Sequence, residues 1–411
     1  MKPEASQSDK WIALIFGARV LMYANFMVYA ACLPVLLSEW RMSATQAGTI
    51  SAGFMIGYAV SLFLFGWAAD RYGAKRMFLL SAMLNACAAL LFGFFARSYL
   101  SGLLLYTCAA LAQGGLYGPA VMLFSDRYPP QSRGRAVGYL IASTSVGYAL
   151  SLLVAGFYLQ YSGYPAAFIA TGIIPMLGAL LSWLVLRETP NLVHGRGSVT
   201  LSTRTLLRTN RDAALLVGGY VFHNWELVGM WSWTPAFFAA AFALSGGELA
   251  QTVHLGAYLT ASMHLAGSFA SASMGRLSDR LGRRTVLVAV AGIAAFCSFG
   301  FGWLVAFPAF LLGLVGVIYY FTALGDSPVL TTALSEAVEP GILGAVLAVR
   351  LLLGFAAGAI APVVFGMVLD LTNSGTPILT WGWAFMTLGI GGLLATACAY
   401  FYKGSAPAHR P

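Results

Sequence analysis

Apolar runs long enough to cross a lipid bilayer follow one another from Trp11 to Tyr400 with only short interruptions, and nothing else in this chain narrows its folding choices as far. A helix rises about 1.5 Å per residue, so about 20 apolar residues cover the roughly 30 Å of hydrocarbon. Within that layer a backbone must satisfy its own hydrogen bonds, and runs of this length do so as helices. The chain is 59% hydrophobic and 9% charged, whereas about a quarter of a soluble domain is charged. A single water-soluble core is excluded.

The runs predict spans at 11–37, 45–69, 77–96, 100–124, 135–159 and 165–186, then at 213–241, 251–275, 285–307, 308–333, 343–369 and 379–402. The first run is too long for a cleaved signal peptide and is expected to stay as a helix. Between the two sets lies the longest polar stretch, rich in Ser, Thr and Arg. The expected organisation is a bundle over 1–190, a cytoplasmic linker over 191–210 and a second bundle over 211–411. Of 23 Lys and Arg residues, only Arg41 and Arg97 fall in loops of one parity, and Arg19 and Arg350 fall inside spans. The rest lie on the other side, which the positive-inside rule makes cytoplasmic, together with both termini. The net charge of +9 therefore sets orientation and gives no reason to expect nucleic acid.

The halves repeat. Gly66-Trp67-Ala68-Ala69-Asp70-Arg71-Tyr72-Gly73-Ala74-Lys75 returns 209 residues later as Gly275-Arg276-Leu277-Ser278-Asp279-Arg280-Leu281-Gly282-Arg283-Arg284, and the same offset carries Tyr117-Gly118-Pro119 onto Asp326-Ser327-Pro328. Two landmarks agreeing on one offset point to a duplicated six-helix unit, with the copies related by an axis along the membrane normal. Each copy of the motif sits between the second and third spans of its half. Glycines there permit a sharp turn and the basic residues hold it at the cytoplasmic face.

Length, six plus six spans, basic linker and paired loop motifs together resemble the major facilitator superfamily along the whole chain. The resemblance implies an all-α membrane protein of twelve helices in two pseudo-symmetric bundles. It further implies a secondary transporter working by alternating access, with the first, fourth, seventh and tenth spans lining a central cavity. A gating role is implied for Gly66, Asp70, Arg71, Gly73, Gly275, Asp279, Arg280 and Gly282, against the plainer reading of loop structure alone.

Ionisable groups within spans cost at least about 2.5 to 3.5 kcal/mol on insertion scales, so each needs a partner or a purpose. The clear cases are Arg19, Glu226, Asp326 and Arg350, with polar company from Asn25, Gln113, His223, Asn224 and His264. Arg19, Asp326 and Arg350 fall about 11 to 14 Å in from the cytoplasmic ends of their spans, and Glu226 falls near the middle with His223 on its own helix face. One reading has Arg19 and Arg350 attracting an anion, with Glu226 and His223 or His264 holding a coupling proton. The other makes Asp326 and Arg350 a fixed salt bridge and leaves the histidines to neighbouring backbone. Pro119 and Pro328 are candidate bends, and Tyr117 a candidate cavity residue. The aromatics Trp225, Trp231 and Trp233 read as span packing.

Proton-driven drug exporters of the superfamily carry an Arg four residues before a Gly in the fourth span; here Gln113-Gly114 matches but Ala110 holds the Arg position. Their fifth-span glycine pattern is met at Gly138 and Gly147 and departs at Ser151-Leu152. Arg350 in the eleventh span and the segment GGLYGPAV in the fourth resemble the branch that includes oxalate and monocarboxylate carriers. The expectation is a carrier of a small organic or inorganic anion, coupled to protons or working by exchange, monomeric and multi-pass in the inner cell membrane. The alternative is a proton-coupled exporter of amphiphilic compounds. No HExxH, glycine-rich phosphate loop or Cys/His cluster suggests an enzyme, a cofactor or a metal.

Overall fold

The computed structural model describes residues 5–128, 130–193, 210–373 and 375–404; most of the expected linker, 194–209, lies outside the described residues. The described chain is helical. The first six spans comprise α1 (Ala5–Met22), α2 (Val28–Glu39), α3 (Ala44–Tyr72), α4 (Ala74–Phe95), α5 (Tyr99–Gln113), α6 (Gly118–Arg127), α7 (Pro130–Tyr161) and α8 (Gly163–Leu186). The second six are α9 (Arg211–Leu244), α10 (Leu249–Leu281), α11 (Arg283–Phe301), α12 (Ala309–Ala337), α13 (Pro340–Thr372) and α14 (Pro377–Phe401). Among the described residues, ten spans are long and apolar enough to cross a membrane by length and composition. The remaining two of the twelve are the first, made of α1 and α2, and the eighth, α10. Helix α10 is the hydroxyl-rich one, and Thr260, Ser262 and Ser273 turn their hydroxyls back onto the carbonyls of Gly256, Leu259 and Phe269. Such bonds let a polar sequence remain a helix in an apolar setting.

The helices form two compact units. One gathers the described residues of Met1–Met42, Gly53–Arg196 and Glu248–His264, the other those of Ser43–Ala52, Gly197–Gly247 and Leu265–Pro411. The start of α3 belongs to the second unit because Asp370, at the end of α13, accepts from the backbone N–H of Ala44 (2.9 Å) and Thr45 (2.8 Å) and from the Thr45 hydroxyl (2.6 Å). A carboxylate on the exposed N–H groups of a helix start is favourable both as a cap and against the helix dipole. Large apolar side chains lie outermost, as in Phe296 (80% exposed) and Phe310 (83%), which suits contact with lipid and not with water.

The repeated loop motif is preserved as geometry. Gly73 and Gly282 hold φ of 91° and 88°, a region that side-chain-bearing residues rarely adopt. Gly66 and Gly275 sit inside α3 and α10 with open space where a Cβ would stand, so the turn itself requires only the later glycine of each copy. Lys75 donates to the carbonyls of Arg187 and Thr189 just past α8, and Arg284 donates to the carbonyl of Tyr400 near the end of α14. At the same repeat position, a cation thus caps the last helix of each half. The copies differ in their second tie. Asn191 bridges Tyr72 and Arg76 in the first, whereas Arg283 pairs with Asp279 (2.6 Å) and Glu336 (2.9 Å) in the second. Arg71 lies over the Tyr72 ring; Arg280 is exposed.

Candidate functional site

In the first unit two spans are interrupted, and the interruptions are tied together. The first span breaks at Tyr23–Met27 between α1 and α2, and the fourth breaks at a 3-10 turn, Gly114–Leu116, between α5 and α6. Backbone freed by a break must find partners inside the protein. The Ser151 hydroxyl accepts from Met27 N–H (3.0 Å), and the Tyr106 hydroxyl donates to the Phe26 carbonyl. Pro119 falls within the first residues of α6, just after the turn, while Pro328 lies inside a continuous α12.

Arg19 is fully buried beside the second break. Its guanidinium donates to Ser143 Oγ (2.9 Å), Thr144 Oγ1 (3.0 Å), the Leu140 carbonyl (3.3 Å) and the Leu116 carbonyl, and it lies 5.2 Å from the Tyr23 ring centre. No acid pairs with it among the described residues, so its charge is hydrogen-bonded without being neutralised. Gln113, at the last residue of α5, donates from Nε2 to Asn25 Oδ1 (2.9 Å). Asn25 Nδ2 donates in turn to Asn85 Oδ1 (3.1 Å), and Asn85 Nδ2 to the Met22 carbonyl (2.9 Å). Around this chain stands an aromatic cluster, with Phe26 stacked on Tyr148 at 4.0 Å and edge-on to Phe54 and Tyr58. His264 meets the Tyr148 ring edge-on, and Tyr117 follows the break directly.

The second unit holds His223, Glu226, Asp326 and Arg350. His223 on α9 stands 2.9 Å by Nδ1 from Asp326 Oδ1 and 2.9 Å by Nε2 from Ser327 Oγ, both on α12. The approach to Asp326 is that of a charge contact more than of an aligned hydrogen bond, since that oxygen meets no donor at hydrogen-bonding angles. One turn along, the guanidinium carbon of Arg350 on α13 lies over the Tyr220 ring, 4.0 Å from its centre, and Nη2 donates to Thr331 Oγ1 (3.1 Å). Its Nε and Nη1 are buried without a partner among the described residues. Asp326 is therefore engaged with His223, and the alternative salt bridge to Arg350 is not made. Glu226 faces elsewhere: its Oε1 accepts from Ser298 Oγ (2.8 Å), which also bonds the Tyr319 hydroxyl. A Cβ at position 392 would stand 2.7 Å from Glu226 Oε2, so glycine leaves room for the carboxylate. His223 and Glu226 share a helix but not a hydrogen bond.

The profile of the Major Facilitator Superfamily matches residues 15–362. The chain belongs to the major facilitator superfamily. Among its relatives are the hexuronate transporter of Bacillus subtilis (strain 168), 25% identical over 92% of this chain and 93% of that one, and the cis,cis-muconate transport protein of Acinetobacter baylyi, 25% identical over 93% and 94%. The fold is similar to that of a bacterial homologue of the human lysosomal transporter Spinster in an inward-facing and occupied conformation, with a TM-score of 0.78 at 16% identity over 99% of this chain and 100% of that one.

Within this facilitator, sequence reasoning brought out the charged groups and missed their partners. Asn85, Ser143, Thr144, Ser298 and Thr331 are uncharged polar residues in apolar spans, which the search for charges passed over. Tyr220 could have been found, because it lies one helical turn before His223 on the same face. The indoles of Trp225 and Trp233 donate to the carbonyls of Thr387 and Pro362, which fits the packing role read for them.

Proposed function

We propose that this protein is a secondary transporter that carries a small organic anion by alternating access, with Arg350 holding the anionic end and the His223–Asp326 pair holding a coupled proton. The observation that carries this reading is the pair of unspent donors on Arg350. A guanidinium buried away from water normally spends its donors on protein groups, and here Nε and Nη1, one on each side of Nη2, have none among the described residues. Nη2 gives one N–H to Thr331 and keeps a second, which forms a planar fork with one of these neighbours and matches a carboxylate or sulfonate with two parallel hydrogen bonds. Stacking on Tyr220 and the bond to Thr331 hold the plane of the fork in place. The relatives named for hexuronate and cis,cis-muconate, both carboxylates, agree with an anionic solute.

Arg19 has a different share in this scheme. Each of its nitrogens already has a protein partner, so it supplies positive potential and braces the broken fourth span. The proton is assigned to His223 and Asp326 because the two stand 2.9 Å apart and the Tyr220 ring meets both His223 and the Arg350 guanidinium. Glu226, held by Ser298, is a second proton-binding group of the same unit, and His264 belongs with the aromatic cluster of the first.

The test is counterflow in proteoliposomes with a radiolabelled hexuronate and with cis,cis-muconate. Arg350→Ala is expected to weaken apparent affinity by about thirtyfold or more, the scale of removing one partner of a desolvated charge pair, with Arg350→Lys intermediate. Undiminished anion transport by Arg350→Ala would overturn the reading. The aromatic cluster around Phe26 is what favours the alternative, export of amphiphiles; there, Phe26→Ala would impair transport of a lipophilic cation and Arg350→Ala would not.

A further inference from the structure

The three amides of the first unit form a chain with a direction. Its far end is the Met22 carbonyl, which can only accept, so Asn85 must present its nitrogen there (2.9 Å) and its oxygen to Asn25. Asn25 must then give its nitrogen to Asn85 (3.1 Å) and its oxygen to Gln113 (2.9 Å). The orientation of each amide follows from the one before it. At the near end this leaves Gln113 with its nitrogen committed and its carbonyl oxygen, Oε1, buried and without a donor among the described residues. An amide in a looser setting could flip to suit its surroundings; this one is prevented from doing so by two neighbours and a backbone group.

The position of that oxygen is equally specific. Gln113 ends α5 at the interruption of the fourth span, on the same turn whose Leu116 carbonyl holds Arg19. Broken helices within a membrane are where transporters of inverted or parallel repeats place their solute contacts. We infer that Gln113 Oε1 is a fixed acceptor that selects solutes carrying a hydroxyl group, so that the substrate class is hydroxylated carboxylates in preference to their deoxy counterparts. A neutral donor is favoured over an ammonium group because the uncompensated Arg19 charge adjoins the same turn. Asn25 and Asn85 are positioning residues that keep the acceptor aimed. A site built to pair with a hydroxyl discriminates strongly against the analogue lacking it, since the acceptor is then left buried and unpaired.

This inference rests on the anion reading of Arg350, and the experiment separates the two. Competition of counterflow is measured with pairs of carboxylates that differ by one hydroxyl, malate against succinate and a hexuronate against its deoxy analogues, for the wild type, Gln113→Leu, Gln113→Glu, Asn85→Leu and Arg350→Ala. The expected result is a preference of about tenfold or more for a hydroxylated member in the wild type. Gln113→Leu should bring that ratio close to one while leaving affinity for the deoxy member within about threefold. Gln113→Glu, which keeps an acceptor, should retain a preference, and Asn85→Leu should reduce it although that residue does not reach the solute. Arg350→Ala should weaken both members of every pair together. A wild type with no preference in any pair, or an unchanged ratio in both Gln113→Leu and Asn85→Leu, overturns the hydroxyl assignment and leaves the anion reading standing if Arg350→Ala still loses both. Should Gln113→Leu fail to fold, Asn85→Leu and Gln113→Glu carry the comparison. A wild type indifferent to every carboxylate overturns both.

Discussion

The first unit buries its polarity as neutral amides around one fixed cation, whereas the second buries it as pairs able to gain or lose a proton. At the 209-residue offset Arg19 corresponds to Val228 and Arg350 to Ile141, so neither guanidinium has a twin in the other half. Gln113 and Asn25 fall on Thr322 and Thr234, and Tyr117 falls on Asp326. Backbone geometry has followed the duplication at the loop motif, as the matching φ of Gly73 and Gly282 makes plain, though not at the breaks of the first and fourth spans, whose counterparts α9 and α12 are continuous. Intramembrane chemistry has not. What the contrast teaches is that the duplication supplies a scaffold, and each copy is free to hold its own part of a transport cycle: a fixed hydrogen-bond pattern in one, and anion binding with charge change in the other.

The sharpest break of that contrast would come from moving the proton. Asp326→Asn removes the acid facing His223, and is expected to lower accumulation driven by a pH gradient by about tenfold or more, the scale of a lost coupling free energy of 1 to 3 kcal/mol. Counterflow, which needs no net proton movement, should stay within about threefold of the wild type. Asn85→Ala in the first unit should leave the response to the gradient intact. If Asn85→Ala abolished that response, or Asp326→Asn preserved it, the division between the units would be wrong.

A smaller effect distinguishes the two arginines. Arg19→Met would strip donors from the Leu116 and Leu140 carbonyls and from two hydroxyls, and should destabilise the protein by about 2 to 4 kcal/mol, since buried acceptors left unpaired each cost about 1 to 3 kcal/mol. Arg350→Met loses one hydrogen bond and its stacking on Tyr220, and should cost about 1 kcal/mol or less while abolishing anion transport. Thermal unfolding of the two variants in nanodiscs, set beside counterflow, reads both quantities. Equal destabilisation would mean that Arg350 is a structural brace like Arg19.

Much of the fold was legible because its causes are local. Apolar runs of bilayer length, loop charges and a repeated glycine turn each act over a few residues, and together they yield the spans and the duplication. The breaks in the first and fourth spans were not legible for the opposite reason. Within Tyr23–Met27 only Asn25 interrupts the apolar pattern, with no Pro or Gly to mark a break, and the groups that satisfy the freed backbone, Ser151 and Tyr106, come from distant spans. The prolines mark the two copies unequally: Pro119 opens the helix just beyond the turn Gly114–Leu116, and its repeat counterpart Pro328 lies inside a continuous helix. Charged candidates stood out in the sequence, but their pairing depends on helix rotation. His223 faces Asp326, and Glu226, three residues on, faces Ser298 instead.

The smallest effect tests where the two copies agree and where they part. Lys75 and Arg284 occupy one repeat position and each donates to carbonyls near the end of the last helix of its half. Lys75→Met and Arg284→Met should each cost about 0.3 to 1 kcal/mol, the usual worth of a cation at a helix C-terminus, and the loss should shrink in high salt for both. Asn191→Ala should add a similar loss only in the first copy, because it joins the Tyr72 carbonyl to the Arg76 N–H there. In the second copy that tie is ionic, through Arg283 and Glu336, so Glu336→Gln is the matching change, and its cost, unlike that of Asn191→Ala, should fall with added salt. Salt-independent losses at both Asn191 and Glu336 would show that the loops are held by packing, and that the difference between amide and ion pair ends with the intramembrane groups.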